Sequence, residues 1–111
     1  MYQVIYYETA DGEKPVKEFV NSLDPVTKAA FFHYAQMLAD QGPNLPRPYA
    51  DIVDGKIREI RPRQARVLYF FHHRTNIILV HGFLKKSQKV KQADIETANK
   101  RMKDWIERNG S

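Results

Sequence analysis

The strongest fold signal in the chain is KIREIRPRQARVLYFFHHRTNIILVHGF, residues 56–83. It contains three strand-like runs, KIREIR, ARVLYFFH and NIILVHGF, which are rich in β-branched and aromatic residues. Only a few residues separate each run from the next, and connections that short join antiparallel neighbours. The second and third runs are apolar at nearly every position, which is typical of strands covered on both faces. The stretch therefore predicts an antiparallel sheet.

The chain before this stretch predicts one strand and two helices. MYQVIYYE, residues 1–8, has strand propensity. Pro15 and Asp24-Pro25 each mark a helix start, because proline suits the first turn and aspartate caps it. Gly42-Pro43 ends the second helix. The apolar positions expected to face the core are Val16, Phe19, Val20 and Leu23 in the first helix and Val26, Ala30, Phe31, Tyr34 and Leu38 in the second.

The chain after this stretch predicts one further helix, which begins between Val90 and Ala93. Its apolar stripe consists of Ile95, Ala98, Met102, Trp105 and Ile106. The predicted order is β-α-α-β-β-β-α, an α+β domain in which a helical hairpin and a C-terminal helix pack on an antiparallel sheet. A length of 111 residues suits a single domain, residues 1–111.

The amino-acid composition excludes several kinds of catalytic and metal-binding site. The chain contains no cysteine, which excludes disulfides, thiol catalysis and cysteine-type zinc sites. It has no Gly-rich phosphate loop and no metal-spaced histidine pair, so we expect no cofactor and no metal. We see neither a secretory leader nor an apolar run near the roughly 20 residues of a membrane span, and so expect a cytoplasmic protein without membrane association.

Positive charge is concentrated in the second half of the chain. Residues 1–50 contain four Lys/Arg and six Asp/Glu, whereas residues 51–111 contain fourteen and seven. The segment from Lys56 to Lys91 contains ten Lys/Arg residues and one acidic residue, Glu59. Such a field attracts polyanions, of which nucleic acid is the commonest inside cells, and it would also attract an acidic protein.

Strand alternation indicates where these charges meet. In IREIR, residues 57–61, Glu59 and Arg61 project from one face. Arg66 opens the next strand, close enough to join Arg61 across the pairing, and Lys85-Lys86 ends the strand after that. We predict that Arg61, Arg66 and one of the two lysines line one concave surface suited to a phosphodiester. Other candidate contacts to an RNA backbone are Arg58, Arg63, Lys89 and Lys91.

The RNA 2′-hydroxyl can attack the adjacent phosphate if the backbone is held in line and the developing charge is stabilised. Glu59 and His81 are the titratable candidates for the proton transfers. Each of these residues also has a non-catalytic alternative. Glu59 is then the ion-pair partner of Arg61, His81 is a hydrogen-bonded residue near the core, and the lysines are solubilising charges. We expect His72 and His73, at a hairpin turn, to be exposed.

The motifs DGKIREIRP, RVLYFF and HGFLKKSQK, followed by a helix, resemble the phage-derived Gp49-like branch of the HigB toxins in the RelE/ParE superfamily. The resemblance covers nearly the whole chain in the same element order. It implies the toxin of a type II toxin–antitoxin pair that cleaves mRNA, typically in the ribosomal A site. It also implies a helix-turn-helix, HigA-like antitoxin that blocks the basic site and represses the shared operon.

The resemblance assigns roles to three residues. Arg66 matches an arginine that contacts the phosphate, Lys86 matches a basic residue that stabilises the transition state or the leaving group, and Arg61 matches a basic position in an ELR-like strand. Two positions depart from the pattern. Gln92 stands where some relatives have a catalytic Tyr or His, and Glu59 stands where RelE has a lysine.

These departures leave three hypotheses. The first is a metal-independent endoribonuclease whose acid–base pair differs from that of RelE. The second is a basic module that binds RNA, the ribosome or an acidic protein without cutting. The third is a ParE-like gyrase poison.

Overall fold

The computed structural model describes residues 1–110. Its elements are β1 (Gln3–Tyr6), α1 (Pro15–Asn21), α2 (Pro25–Gln41), β2 (Ala50–Asp54), β3 (Ile57–Ile60), β4 (Ala65–His72), β5 (Asn76–Leu84) and α3 (Gln92–Asn109), with a short 3₁₀ turn at Gly42–Asn44. The five strands form one sheet in the order β1-β5-β4-β3-β2. The predicted α+β class is confirmed.

Pairing within the sheet is mostly antiparallel. Strands β2 to β5 pair in sequence order with antiparallel neighbours, as the short connections predicted. Strand β1 lies parallel to β5, with Gln3 opposite Asn76. Strand β2 was not predicted: it pairs with β3 from Ala50 opposite Ile60 and contains an irregularity between Ile52 and Asp54. It adds Asp51 to the end of the sheet where the predicted cations lie.

Helix α2 begins as its sequence indicated, with one difference on its buried face. The Asp24 carboxylate accepts hydrogen bonds from the Thr27 backbone N–H and hydroxyl, both at 2.9 Å, and these bonds lower the pKa of Asp24. The helix turns Thr27 toward the core and leaves Val26 60% exposed, so the prediction that Val26 is buried is wrong.

The sheet is covered on both faces. The helical hairpin covers a cluster that includes Val16, Phe31, Leu38, Ile60, Val67, Tyr69 and Leu79. Helix α3 covers a second cluster that includes Ile57, Leu68, Phe70, Ile78, Val80 and Ala98. Side chains of β4 and β5 enter both clusters, which confirms the reading of these two runs. Helix α1 approaches β5 closely, because the Phe19 ring lies directly over Gly82.

His72 anchors the end of α3 to the sheet. It is buried, so the expectation of an exposed His72 is wrong, whereas His73 is exposed and stacks on the His72 ring with 3.8 Å between centroids. The Trp105 indole N–H donates to His72 Nδ1 at 3.2 Å. Since the indole can only donate, His72 carries its proton on Nε2 and donates to the Gly110 carbonyl at 2.6 Å. Within residues 1–110, no helix combines the length and apolar character that crossing a bilayer requires.

Candidate active site

A cavity of about 610 Å³ opens at one end of the sheet. It lies where β3 ends, β4 begins and β5 ends, beside the start of α3. Its lining residues are Glu59, Arg61, Arg66, Phe83, Leu84, Lys85, Lys86, Ser87, Gln88, Lys89, Val90, Lys91, Ala93 and Asp94. Six of these are cationic and two are acidic, so the cavity carries a strong positive potential.

Arg66 is the arginine of this cavity without a carboxylate partner. Its guanidinium NH1 donates to the carbonyls of Arg63 and Ala65, at 2.7 and 2.8 Å, and forms no ion pair among residues 1–110. Burial lowers the pKa of Arg66, and the charge of Arg61 adds to this effect, while Glu59 offsets part of it. A bound phosphate would supply the counter-charge and would find the remaining N–H donors free.

Arg61 is engaged differently. Its Nε donates to Glu59 Oε2 at 2.8 Å, and its NH2 donates to Asp51 Oδ2 at 3.2 Å. The Ile52 backbone N–H, and then the guanidinium groups of Arg47 and Arg61, hold the pKa of Asp51 below its usual range. Arg61 is therefore held between two carboxylates. Its guanidinium contacts Glu59 directly, so its main role in the cavity is to orient the Glu59 carboxylate.

Glu59 has one carboxylate oxygen without a partner. The residue is buried, with 5% of its surface exposed, and its Oε2 bonds to Arg61. Its Oε1 is buried and accepts no hydrogen bond. A buried carboxylate oxygen left unpaired costs free energy, on the order of 1–3 kcal/mol. A ligand that donates a hydrogen bond to Oε1 would remove this cost.

Four lysines form the outer wall of the cavity, in the connection between β5 and α3. We call residues 85–91 the lysine segment. The Lys85 backbone N–H donates to the Gln64 carbonyl at 2.7 Å, which ties the start of the segment to the turn before β4. No carboxylate of residues 1–110 forms an ion pair with Lys85, Lys86, Lys89 or Lys91. Their charges are available to an anion in the cavity.

His81 lies behind the cavity wall and is fully hydrogen-bonded. One ring nitrogen, Nδ1, lies 3.4 Å from the Arg101 guanidinium, which can only donate, so Nε2 carries the proton and donates to Asp94 Oδ1 at 2.7 Å. Asp94 itself lines the cavity. Asp94 was not predicted as a site residue, although an acid in the first turn of the predicted last helix, just after the lysines, could have indicated it.

The chain matches a known family over most of its length. Residues 18–103 match the family described as phage derived protein Gp49-like (DUF891). The matched range spans more than half of the chain and includes every residue of the cavity. The chain belongs to the Gp49-like family. This family is associated with HigB-type toxins, and the architecture described above is consistent with the RelE-like fold. No curated protein matches the chain.

In this Gp49-like chain the structure brings together most, though not all, of the predicted site residues. Arg61, Arg66, Glu59 and the four lysines line one cavity. Arg58 does not: its guanidinium packs 5.4 Å above the Phe71 ring, on the sheet face that the helical hairpin covers. Arg63 lies in the turn between β3 and β4, with a φ of 60°, and does not line the cavity. Neither arginine lines the cavity, and their contacts to an RNA backbone stay a prediction.

The cavity of this Gp49-like chain contains groups for binding and for acid–base chemistry. Gln92 lies at the start of α3 and is exposed outside the lining. The acidic groups that face the cavity are Glu59 and Asp94. Within residues 1–110, no three His, Asp or Glu side chains form a group that could hold a metal ion.

Proposed function

We propose that this Gp49-like protein is the toxin of a type II toxin–antitoxin pair and acts as a metal-independent endoribonuclease on mRNA at the ribosome. The observation that carries the proposal is Arg66, a half-buried guanidinium without a carboxylate partner, in a cavity that it shares with four unpaired lysines. Guanidinium forks match phosphate oxygens in geometry and charge. A strand of RNA is the polyanion whose own hydroxyl can serve as the nucleophile.

The reaction is an internal transesterification. The 2′-oxygen forms a bond to the neighbouring phosphorus, and the bond from phosphorus to the 5′-oxygen of the next nucleotide breaks. The products are a 2′,3′-cyclic phosphate, which water can open to a 3′-phosphate, and a 5′-hydroxyl. The enzyme must hold the attacking 2′-oxygen, the phosphorus and the leaving 5′-oxygen in line, neutralise the growing charge and provide for the transfer of two protons.

Each step has a candidate group in the cavity. Arg66 binds the non-bridging oxygens of the phosphate and stabilises the pentacovalent transition state. Glu59 accepts the 2′-hydroxyl proton on Oε1, the oxygen that has no partner in the free protein. Lys86 stabilises the negative charge on the leaving 5′-oxygen, which then takes a proton from water to give the 5′-hydroxyl. Arg61 is a positioning residue, because it fixes the other oxygen of Glu59 at 2.8 Å.

The proposed partners follow from the same cavity. The mRNA and the ribosome supply the polyanion, and the site of action is therefore the cytoplasm. We propose a helix-turn-helix, HigA-like antitoxin as the protein partner, which would cover the lysine segment and so neutralise the toxin. A short helix-turn-helix gene beside this one would support the pairing.

Induced expression in a bacterial host tests the proposed function. The wild-type protein is expected to stop growth and translation rapidly, with transcripts cut inside their coding regions, and co-expression of the neighbouring antitoxin is expected to restore growth. Lys17→Ala, which changes an exposed lysine of α1 outside the cavity, is the control and is expected to stay toxic.

Two other results would contradict the nuclease. A DNA-damage response with intact transcripts would favour a gyrase poison. Unchanged growth with the wild-type protein and with Arg66→Ala alike would favour a binding module without catalytic activity.

A further inference from the structure

The cavity has an apolar wall in addition to its charges. Phe83, Leu84, Val90 and Ala93 line it together with the cations, and Leu84 is 48% exposed. A volume of about 610 Å³ lies within the range of roughly 300–1,000 Å³ found for small-molecule pockets, which is much more than one phosphate group occupies. The apolar wall therefore leaves room for a flat, uncharged group next to the phosphate.

Phe83 lies beside Arg66. The two residues are directly opposite each other in the pairing of β4 with β5, so their side chains project from the same face of the sheet. The Phe83 ring stacks against the His81 ring, with 5.5 Å between centroids and 29° between planes. Phe83 thus offers a supported aromatic surface next to the proposed phosphate ligand.

Asp94 places a carboxylate where a polyanion is expected to bind. Its Oδ1 accepts from His81 at 2.7 Å, and no protein donor within residues 1–110 bonds to its Oδ2. Phosphate oxygens would be repelled by this group, whereas N–H donors would be attracted to it. The amino groups of nucleobases are such donors, and carboxylates accept from them in protein complexes with nucleic acids.

We propose that Phe83 and Asp94 form a nucleobase subsite next to the scissile phosphate, with Phe83 stacking on the base and Asp94 accepting from its amino group. This inference rests on the proposed function, since it names the part of the RNA that the same cavity reads. His81 is a positioning residue, because it contacts the Phe83 ring with one face and holds Asp94 with Nε2.

The subsite selects by hydrogen-bond pattern. Cytosine carries an amino group at position 4, which can donate to Asp94. Uracil carries a carbonyl at the same position, which would face the carboxylate unfavourably. The two bases have the same ring size, so that stacking on Phe83 distinguishes them little. We expect the subsite to prefer cytosine to uracil.

Binding of short oligonucleotides tests the subsite without cleavage. Fluorescently labelled 2′-fluoro oligomers of cytidine and uridine keep the base and the phosphate but lack the nucleophilic hydroxyl. The wild-type protein is expected to bind the cytidine oligomer at least about fivefold more tightly, the low end of what one good base contact supplies. Asp94→Asn is expected to bring the ratio close to one, because its amide can donate to the uracil carbonyl.

Two further variants keep the test interpretable. Glu96→Gln removes the same charge from an exposed position of α3 outside the cavity, and it should retain the cytidine preference. Phe83→Leu removes the stacking surface and should weaken binding of both oligomers by about fivefold or more. The proposed subsite would be contradicted if the wild type and Asp94→Asn had the same ratio of cytidine affinity to uridine affinity. Unchanged affinity of Phe83→Leu for both oligomers would also contradict it.

Different experimental results would refute the proposed subsite and the proposed nuclease activity. Salt-dependent binding and RNA cleavage without any base preference would refute the subsite and leave the proposed function standing. A cytidine preference that Asp94→Asn removes, in a protein that never cleaves RNA, would support the subsite and refute the nuclease.

Discussion

Replacement of Arg66 by alanine is expected to lower the rate of RNA cleavage by at least about 100-fold, the range seen when one preorganised donor to a transition-state oxyanion is removed. Arg66 is the arginine of the cavity that no carboxylate neutralises, so its loss removes both charge and geometry from the phosphate site. Single-turnover cleavage of a defined mRNA on purified ribosomes measures the rate. The slope of log affinity against log salt should also fall by about one unit.

The matched control for Arg66 is Arg58→Ala. It removes the same group from β3, but that guanidinium packs on Phe71, on the sheet face away from the cavity. Cleavage by Arg58→Ala should match the wild type, with a loss of stability of about 0.5–1 kcal/mol from the cation–π contact. Equal rates for Arg66→Ala and Arg58→Ala, both folded by circular dichroism, would show that the phosphate is bound elsewhere.

The Glu59→Gln variant is expected to cleave about 10²- to 10⁴-fold more slowly, while it binds RNA as well as the wild type does. The amide has the shape of the carboxylate and can still accept from Arg61, but it cannot take the 2′-hydroxyl proton. A general base should therefore affect the rate of the chemical step and leave the affinity unchanged. The measurement is the single-turnover rate at saturating enzyme beside a separate titration of binding.

Asp54→Asn is the matched control for Glu59→Gln. Asp54 lies at the end of β2, outside the cavity, where its carboxylate accepts from the Asn99 amide at 3.1 Å. This variant makes the same charge change near the same sheet and should cleave normally. If Glu59→Gln also cleaves normally, Glu59 serves as the ion-pair partner of Arg61 and another group takes the proton.

The fold could be predicted where local signals were strong. The Asp24-Pro25 cap and the change to strand periodicity after Gly55 identified the helical hairpin and the three consecutive strands. Strand β2 could not be predicted, because ADIVD is short, contains two aspartates and is held by its partner β3. The position of β1 beside β5 depends on pairing between segments about 70 residues apart, which no local pattern reveals.

The site was predicted in part for the same reasons. Alternation correctly paired Glu59 with Arg61, and by the same rule it places Arg58 with Ile60 on the other face. The sequence could not show that Arg61 donates hydrogen bonds to two carboxylates, because the second one, Asp51, lies on the unpredicted β2. Nor could it show that His72 is buried.

His72 shows why the alternation of apolar and polar residues cannot predict side-chain burial in the central strands. Strand β4 is apolar at nearly every position, so the sequence pattern does not say which side chains face α3. The burial of His72 depends on Trp105, which is 33 positions along the chain and donates to its Nδ1. Only the tertiary packing of α3 supplies this information.

We expect the cavity to use the 2′-hydroxyl of RNA to cut the phosphodiester bound by Arg66. The most direct test is the cleavage of an mRNA fragment on purified ribosomes, with the cut position mapped and then replaced by a single deoxyribose. A 2′,3′-cyclic or 3′-phosphate end is expected on the ribose substrate, with no cut at the deoxyribose position. Cleavage that continues at the deoxyribose, or products that end in a 3′-hydroxyl, would show that the 2′-hydroxyl is not the nucleophile.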